Sequence, residues 1–171
     1  LEIWSTPYFN INVSYDFSII DLSILSRIYE NFLQMEIVFD ENKNVKLEKT
    51  KSAKIKAVVS TPDSVVKLMV NRAMRNKIKG LSPDEILKLR ICDLAVGSGI
   101  FFIELYNFIE NYLVDWYAKK NNVAPTPTLI PFELKKKIIQ DVFRGFDINN
   151  QAVQLTRFSL LLRLLSYENK E

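Results

Sequence analysis

Apolar residues first fall into a regular period at Leu22, Leu25, Ile28, Tyr29, Phe32 and Leu33, whose three- and four-residue spacing predicts one face of a helix, with Asp21 in place to cap it. Ahead of it, Leu1 to Phe17 is aromatic and irregular and Pro7 breaks what pattern there is, so no element is assigned there. After it the pattern lapses. Asp40 to Lys56 carries Lys43, Lys46, Lys49, Lys51, Lys54 and Lys56 among few apolar positions and reads as a solvated linker, the best boundary in the chain. A lysine run of this kind is kept for solubility more often than for contact with a phosphate backbone.

Thr61-Pro62-Asp63 predicts the start of a second helix, with Thr61 as the cap and Pro62 in the first helical position. Val65, Val66, Met69, Val70 and Ala73 supply its apolar face, Arg72, Arg75, Lys77 and Lys79 suit its negative end, and Gly80 ends it. Ser82-Pro83-Asp84-Glu85 has the spacing of a capping box and predicts a short helix. Leu89 to Val96 is a short apolar run closed by Gly97-Ser98-Gly99, after which the period becomes helical, with Phe101, Leu105, Phe108, Tyr112 and Trp116 on one side. A proline-broken loop from Asn121 to Pro131 leads to a short helix over Phe132 to Ile139, a second strand over Val142 to Asp147, and a long apolar helix over Gln151 to Tyr167. Strand, helix, strand, helix in this order predicts parallel pairing, the repeating unit of a doubly wound sheet. The last helix is apolar in nearly every direction, so it is expected to be covered by further protein.

With 171 residues, 48% of them hydrophobic, the chain has the length for one domain, with or without a helical appendage. The division expected is 1–57, a helical N-terminal segment with its lysine-rich linker, and 58–171, a ligand-binding unit. A net charge of +3 allows contact with nucleic acid without demanding it. Cys92 is the single cysteine and histidine is absent, so neither an internal disulfide nor a zinc site is expected. No apolar run has the length of a membrane span, since even Phe158 to Leu165 is interrupted by Ser159 and Arg163; a cytoplasmic location is expected. Leu1 in place of methionine predicts a piece of a longer polypeptide.

Asp93-Leu94-Ala95-Val96-Gly97-Ser98-Gly99 lies at the carboxyl end of a predicted strand, where open α/β sheets place nucleotide-like ligands, and its glycines permit close backbone approach. A dinucleotide fingerprint wants a glycine or alanine where this chain has Phe102, and an acid roughly 20 residues on, whereas the next strand-end acid is the distant Asp147. No Gly-Lys-Ser or Gly-Lys-Thr follows, so a Walker phosphate loop also fails. A nucleoside ligand without phosphate is left. S-adenosylmethionine needs a glycine turn beneath its methionine part, an acid near its ammonium and a second acid for the ribose hydroxyls; Asp93 and Asp147 have the right strand-end positions. Taken singly, each acid serves as readily as a local turn or helix cap.

Asp93 to Phe102, D-L-A-V-G-S-G-I-F-F, resembles motif I of amino-methyltransferases acting on DNA, close to the D-P-A-x-G-S-G-x-F form of the adenine methyltransferases of restriction-modification systems. Thr61-Pro62 with Val65-Val66 and Met69-Val70 resembles their motif X, and Phe143 to Ile148 with Ala152 and Leu155-Thr156-Arg157 is similar to motif II. Leu25 to Leu33 looks like the helix that leads into these domains in large restriction-modification polypeptides. The chain departs from the pattern at Ser60, where an aromatic is usual, and at Leu94, where proline is usual.

The resemblance implies an α/β fold: an incomplete Rossmann-like methyltransferase domain on a parallel β-α-β-α core, with a mainly helical N-terminal segment. It implies S-adenosyl-L-methionine as cofactor and, through the full-length protein, methylation of a flipped adenine in double-stranded DNA. Carried over residue by residue, Thr61 and Pro62 touch the methionine end of the cofactor. Asp93, Ala95, Gly97 and Gly99 form the turn beneath it, and Phe101 packs near that turn. Asp147 takes the ribose hydroxyls and Ile148 lies against the adenine; core packing accounts for Phe101 equally well. The acceptor motif, Asn/Asp/Ser-Pro-Pro-Tyr/Phe/Trp, is absent, so no catalytic residue is assigned and the chain alone is expected to be inactive, short of the C-terminal half of the domain and of the target-recognition region. Two other readings keep the same motifs: a methyltransferase of this fold acting on RNA or protein, and a non-catalytic DNA-binding or assembly module.

Overall fold

A computed structural model describes residues 35–40, 43–49 and 61–166. The helix expected over Leu22 to Leu33 and the aromatic opening segment lie outside the described residues. The first described element corrects the linker expected from Asp40 onward: β1 (Met35–Phe39) and β2 (Val45–Lys49) form an antiparallel hairpin in which Ile37 faces Leu47 and Phe39 faces Val45. Alternation with period two is present in β2, but five residues of it among lysines read as charge rather than as a strand. Asp40 closes the turn, its carboxylate accepting the Asn44 amide at 2.9 Å and pairing with Lys46 at 3.1 Å.

The second part begins with α1 (Asp63–Met74). Pro62 rather than Thr61 is its cap residue, no side chain caps it, and Val65 and Val66 donate their amides to the Pro62 carbonyl. The helix also stops short of the Gly80 expected to end it. Turns carry the chain from Arg75 to Gly80, because Ile78, 1% exposed, is drawn into the core from a turn. The capping box is as expected. Ser82 accepts the Glu85 amide and the Glu85 carboxylate accepts the Ser82 amide at 2.8 Å, starting α2 (Pro83–Ile86). Those Ser82 donors, backbone first and hydroxyl second, hold the Glu85 carboxyl below its ordinary range.

β3 (Ile91–Asp93), α3 (Ile100–Asn121), α4 (Phe132–Lys137), β4 (Phe143–Gly145) and α5 (Asn150–Leu165) complete the chain, with a 3-10 turn at Pro127–Leu129 and a π-helical turn at Ile138–Val142. β3 and β4 pair in parallel, Ile91 beside Phe143 and Asp93 beside Gly145, as the strand-helix-strand order predicts. Among the described residues no helix is long and apolar enough to cross a membrane.

The core gathers around α3. Phe102, Leu105, Tyr106, Ile109, Leu113 and Val114 are buried against Val66, Val70 and Met74 of α1, Ile86 of α2 and Leu160 of α5. The expected stripe through Phe101, Phe108 and Tyr112 therefore lies at the margin of this face, packed against the core and only partly buried. In the middle of the buried face sits Glu110, 4% exposed. Its carboxylate pairs with Arg163 of α5, whose guanidinium also donates to Asn107 at 2.7 Å and lies 5.4 Å from the centre of the Tyr106 ring. A buried pair of this kind is costly to break because the surviving charge is left without its partner. Arg163→Met is therefore expected to destabilise the fold by about 3–5 kcal/mol, and pairing it with Glu110→Gln to recover part of that loss. Denaturant unfolding of the single and double variants measures both, and a loss below about 1 kcal/mol for Arg163→Met would show that the pair does not hold α3 to α5.

Candidate functional site

The carboxyl ends of β3 and β4 meet in one place because the parallel ladder continues past both strands: Phe146 donates its amide to the Asp93 carbonyl at 2.9 Å, and Val96 donates to the Phe146 carbonyl at 2.9 Å. The glycine turn is thus stitched to the segment that follows β4. Asp147 tightens the connection. One carboxylate oxygen accepts the Gly97 amide at 2.8 Å and the other accepts the Asn149 amide at 2.8 Å. Asn149 in turn caps α5, accepting the Gln151 amide at 2.9 Å. Asp93 folds its own turn, with the Ala95 amide on its carboxylate at 3.0 Å.

Two close approaches set the shape. Gly99 precedes α3 with φ +82°, where a side chain is strained, and a Cβ there would stand 2.8 Å from both Oγ1 and Cγ2 of Thr156 on α5. At Gly145 a Cβ would stand 2.8 Å from the ring of Phe102. Phe102 occupies the position at which dinucleotide folds keep a small residue so that helix and strand can pack closely. Here the small residue stands on the strand, and the Phe102 ring fills the space it leaves, stacked on Phe143 with centroids 5.0 Å apart. Size has been exchanged across one contact. Phe102 is 2% exposed and has little room to yield.

The sequence-predicted residues divide accordingly. Asp93, Ala95, Gly97, Gly99 and Asp147 are brought together, and Ile148 stands beside them fully exposed, with Leu94 and Phe146 forming an exposed apolar rim. Phe101 is packed at the margin of the core. Thr61 and Pro62 lead into α1 and share no hydrogen bond with the turn among the described residues. Thr156, included in the resemblance to motif II but given no role there, is 5% exposed and donates its hydroxyl to the Gly97 carbonyl at 3.1 Å. It is a mid-helix threonine on an apolar helix, and nothing in its spacing marks it. An apolar groove of about 820 Å³ runs along β4 between α4 and α5, lined by residues including Phe132, Ile139, Phe143 and Leu161 and meeting the site at Val96 and Thr156; the strand-end acids do not line it. Phe158, Leu161 and Leu165 of α5 remain exposed.

A family model for N-6 DNA methylases matches residues 21–171. The chain belongs to the N-6 DNA methylase family. It is 34% identical over 163 residues to RM.Eco57I of Escherichia coli, a type II restriction enzyme and methyltransferase; the match covers 92% of this chain and 16% of that protein. The chain thus spans about a sixth of the length of this relative. No solved structure matches it. In this N-6 DNA methylase domain the large Phe102 and the small Gly145 pack directly against each other beside the glycine turn. Gly145→Ala is expected to cost about 1–3 kcal/mol by overpacking, and Phe102→Leu in the same chain to relieve part of the cost. Thermal unfolding decides; an alanine at 145 as stable as the parent would mean that Phe102 is free to move.

Proposed function

We propose that residues 58–171 form the S-adenosyl-L-methionine-binding part of a Rossmann-like methyltransferase domain, that the whole protein methylates the exocyclic amine of adenine in double-stranded DNA as part of a cytoplasmic restriction-modification system, and that residues 1–57 form an N-terminal segment leading into that domain. The observation that carries this reading is where the amides of the glycine turn point. A loop that cradles phosphate directs its free backbone N–H groups at the ligand. In this turn Ala95, Val96, Gly97 and Gly99 donate to acceptors of the protein itself, two of them carboxylates. Two carboxylates at the turn also repel a phosphate. A cationic, phosphate-free nucleoside suits this environment.

The residues present fit that cofactor. Each oxygen of Asp147 accepts one amide, and an ionised carboxylate has about four acceptor sites, so capacity remains for a pair of ribose hydroxyls. Ile148, Leu94 and Phe146 are exposed apolar neighbours against which an adenine ring loses water-exposed surface. Asp93 supplies negative charge near the turn, where the ammonium end belongs, and Thr61 and Pro62 are assigned to the methionine part on the resemblance to motif X. Gly97 and Gly99 keep side chains out of the space above the turn. Bound there, the cofactor supplies an electrophilic methyl group; this chain's residues bind and orient it, and no residue here is assigned to the transfer itself.

Calorimetric titration of S-adenosylmethionine into the chain tests the reading. We expect binding that weakens at least tenfold in Asp147→Ala, with folding of the variant checked by circular dichroism, and no binding of NADH. Tight NADH binding, or S-adenosylmethionine affinity indifferent to Asp147→Ala, would overturn it.

A further inference from the structure

A threonine in the middle of a helix ordinarily returns its hydroxyl to a carbonyl one turn back in the same helix. Thr156 does not. It lies within α5, 5% exposed, and its hydroxyl reaches the Gly97 carbonyl 59 residues earlier in the chain, at 3.1 Å. Its methyl group and hydroxyl together fill the space above Gly99 that a Cβ would need. Gly97 is therefore held at both of its polar groups by the segment that follows β4: its N–H by the Asp147 carboxylate and its C=O by the Thr156 hydroxyl. A peptide with φ +54° and no side chain has wide freedom, so two hydrogen bonds from one rigid unit are an effective way to remove it.

We propose that Thr156 is a positioning residue for the ligand site: through the Gly97 carbonyl it sets the orientation of the glycine turn, and so couples the half of the pocket formed by that turn to the half formed by Asp147. The coupling is reciprocal and runs along rigid parts. α5 carries Thr156, the Arg163 pair fixes α5 against α3, and α3 begins at Gly99. A movement of the turn away from its present setting breaks the Thr156 bond before it disturbs the core, because the bond joins the turn itself. The inference deepens the S-adenosylmethionine reading and rests on it for the identity of the ligand, but the bond to Gly97 is testable without any ligand.

The experiment has two readouts on the full chain and on Thr156→Val, Thr156→Ser and Thr156→Ala. The first is the rate of hydrogen exchange at the Gly97 and Gly99 amides, followed by nitrogen-15 NMR in the absence of ligand. The second is the dissociation constant for S-adenosylmethionine. Val keeps the shape and loses the donor; Ser keeps the donor and loses the methyl group. We expect exchange at Gly97 to rise at least tenfold in Thr156→Val and Thr156→Ala while amides in the middle of α3 keep their protection. We expect affinity to fall five- to twentyfold in the same two variants, and Thr156→Ser to stay within about threefold of the parent in both readouts. Unchanged exchange in Thr156→Val overturns the inference, whatever the ligand does. So does faster exchange with unchanged affinity, since the turn's setting would then not matter to binding. Loss of protection throughout α3 would assign Thr156 to general stability and likewise overturn it. If the parent chain binds no S-adenosylmethionine, the cofactor reading fails by itself, and the exchange data still decide whether Thr156 sets the turn.

Discussion

The contact between Gly99 and Thr156 is the constraint on which the rest of the site depends. The first turn of α3 and the middle of α5 come so close that no side chain fits on one and a hydroxyl must face inward on the other. Further along, the same two helices are joined by the buried pairing of Glu110 with Arg163. Two helices pinned at two levels have little freedom to rotate against each other, and the strands that feed them inherit that rigidity. The strand ends are consequently held in register beyond the short ladder itself, by bonds from Phe146 to Asp93 and from Val96 to Phe146. A sheet of two three-residue strands is too small to fix a ligand site alone; the helices supply what the sheet lacks.

Size complementarity plays the same part on the other side of the turn. Phe102 and Gly145 solve the close-packing problem of a strand-turn-helix unit with the large and small residues exchanged relative to a dinucleotide fold. The exchange has a cost in freedom, since the Phe102 ring is enclosed by Phe143 and Val96 and any residue larger than glycine at 145 meets it. The large residue after the turn is thus compatible with close packing, and what distinguishes the turn is that Ala95, Val96, Gly97 and Gly99 donate their amides within the protein.

Much of this was legible in the residues. The strand-turn-helix order, the parallel pairing, the Ser82–Glu85 cap and the convergence of Asp93 with Asp147 all follow from local signals: glycines after an apolar run, a cap three residues from its acid, an acid ending each strand. What stayed hidden depends on partners far apart in sequence. Glu110 and Arg163 look like surface charges in the sequence, and their distant pairing makes burial tolerable. Thr156 falls within the motif II resemblance, but its contact is silent because its partner is a backbone carbonyl 59 residues away. The hairpin of β1 and β2 was concealed by the lysines of β2, which alternate with Val45 and Leu47 and turn that strand into what reads as a charged linker. Thr61 failed as a cap for a smaller reason: Pro62, with ψ near 141°, is still extended, so the helix starts one residue later than its capping signal suggests.

Asp147 shows how two structural roles share one side chain. As a turn-former it accepts the Asn149 amide, and as a cross-link it accepts the Gly97 amide; either bond alone would explain an acid at the end of a strand. Neither exhausts a carboxylate, which has about four acceptor sites. The two bonds instead fix the orientation of the group, and a hydrogen-bond acceptor held by the fold gives up less freedom on binding than one that must be ordered by its ligand. The same carboxylate occupies the Gly97 amide and adds negative charge at the turn. A single residue thereby shapes the turn and ties it to the segment that leads into α5.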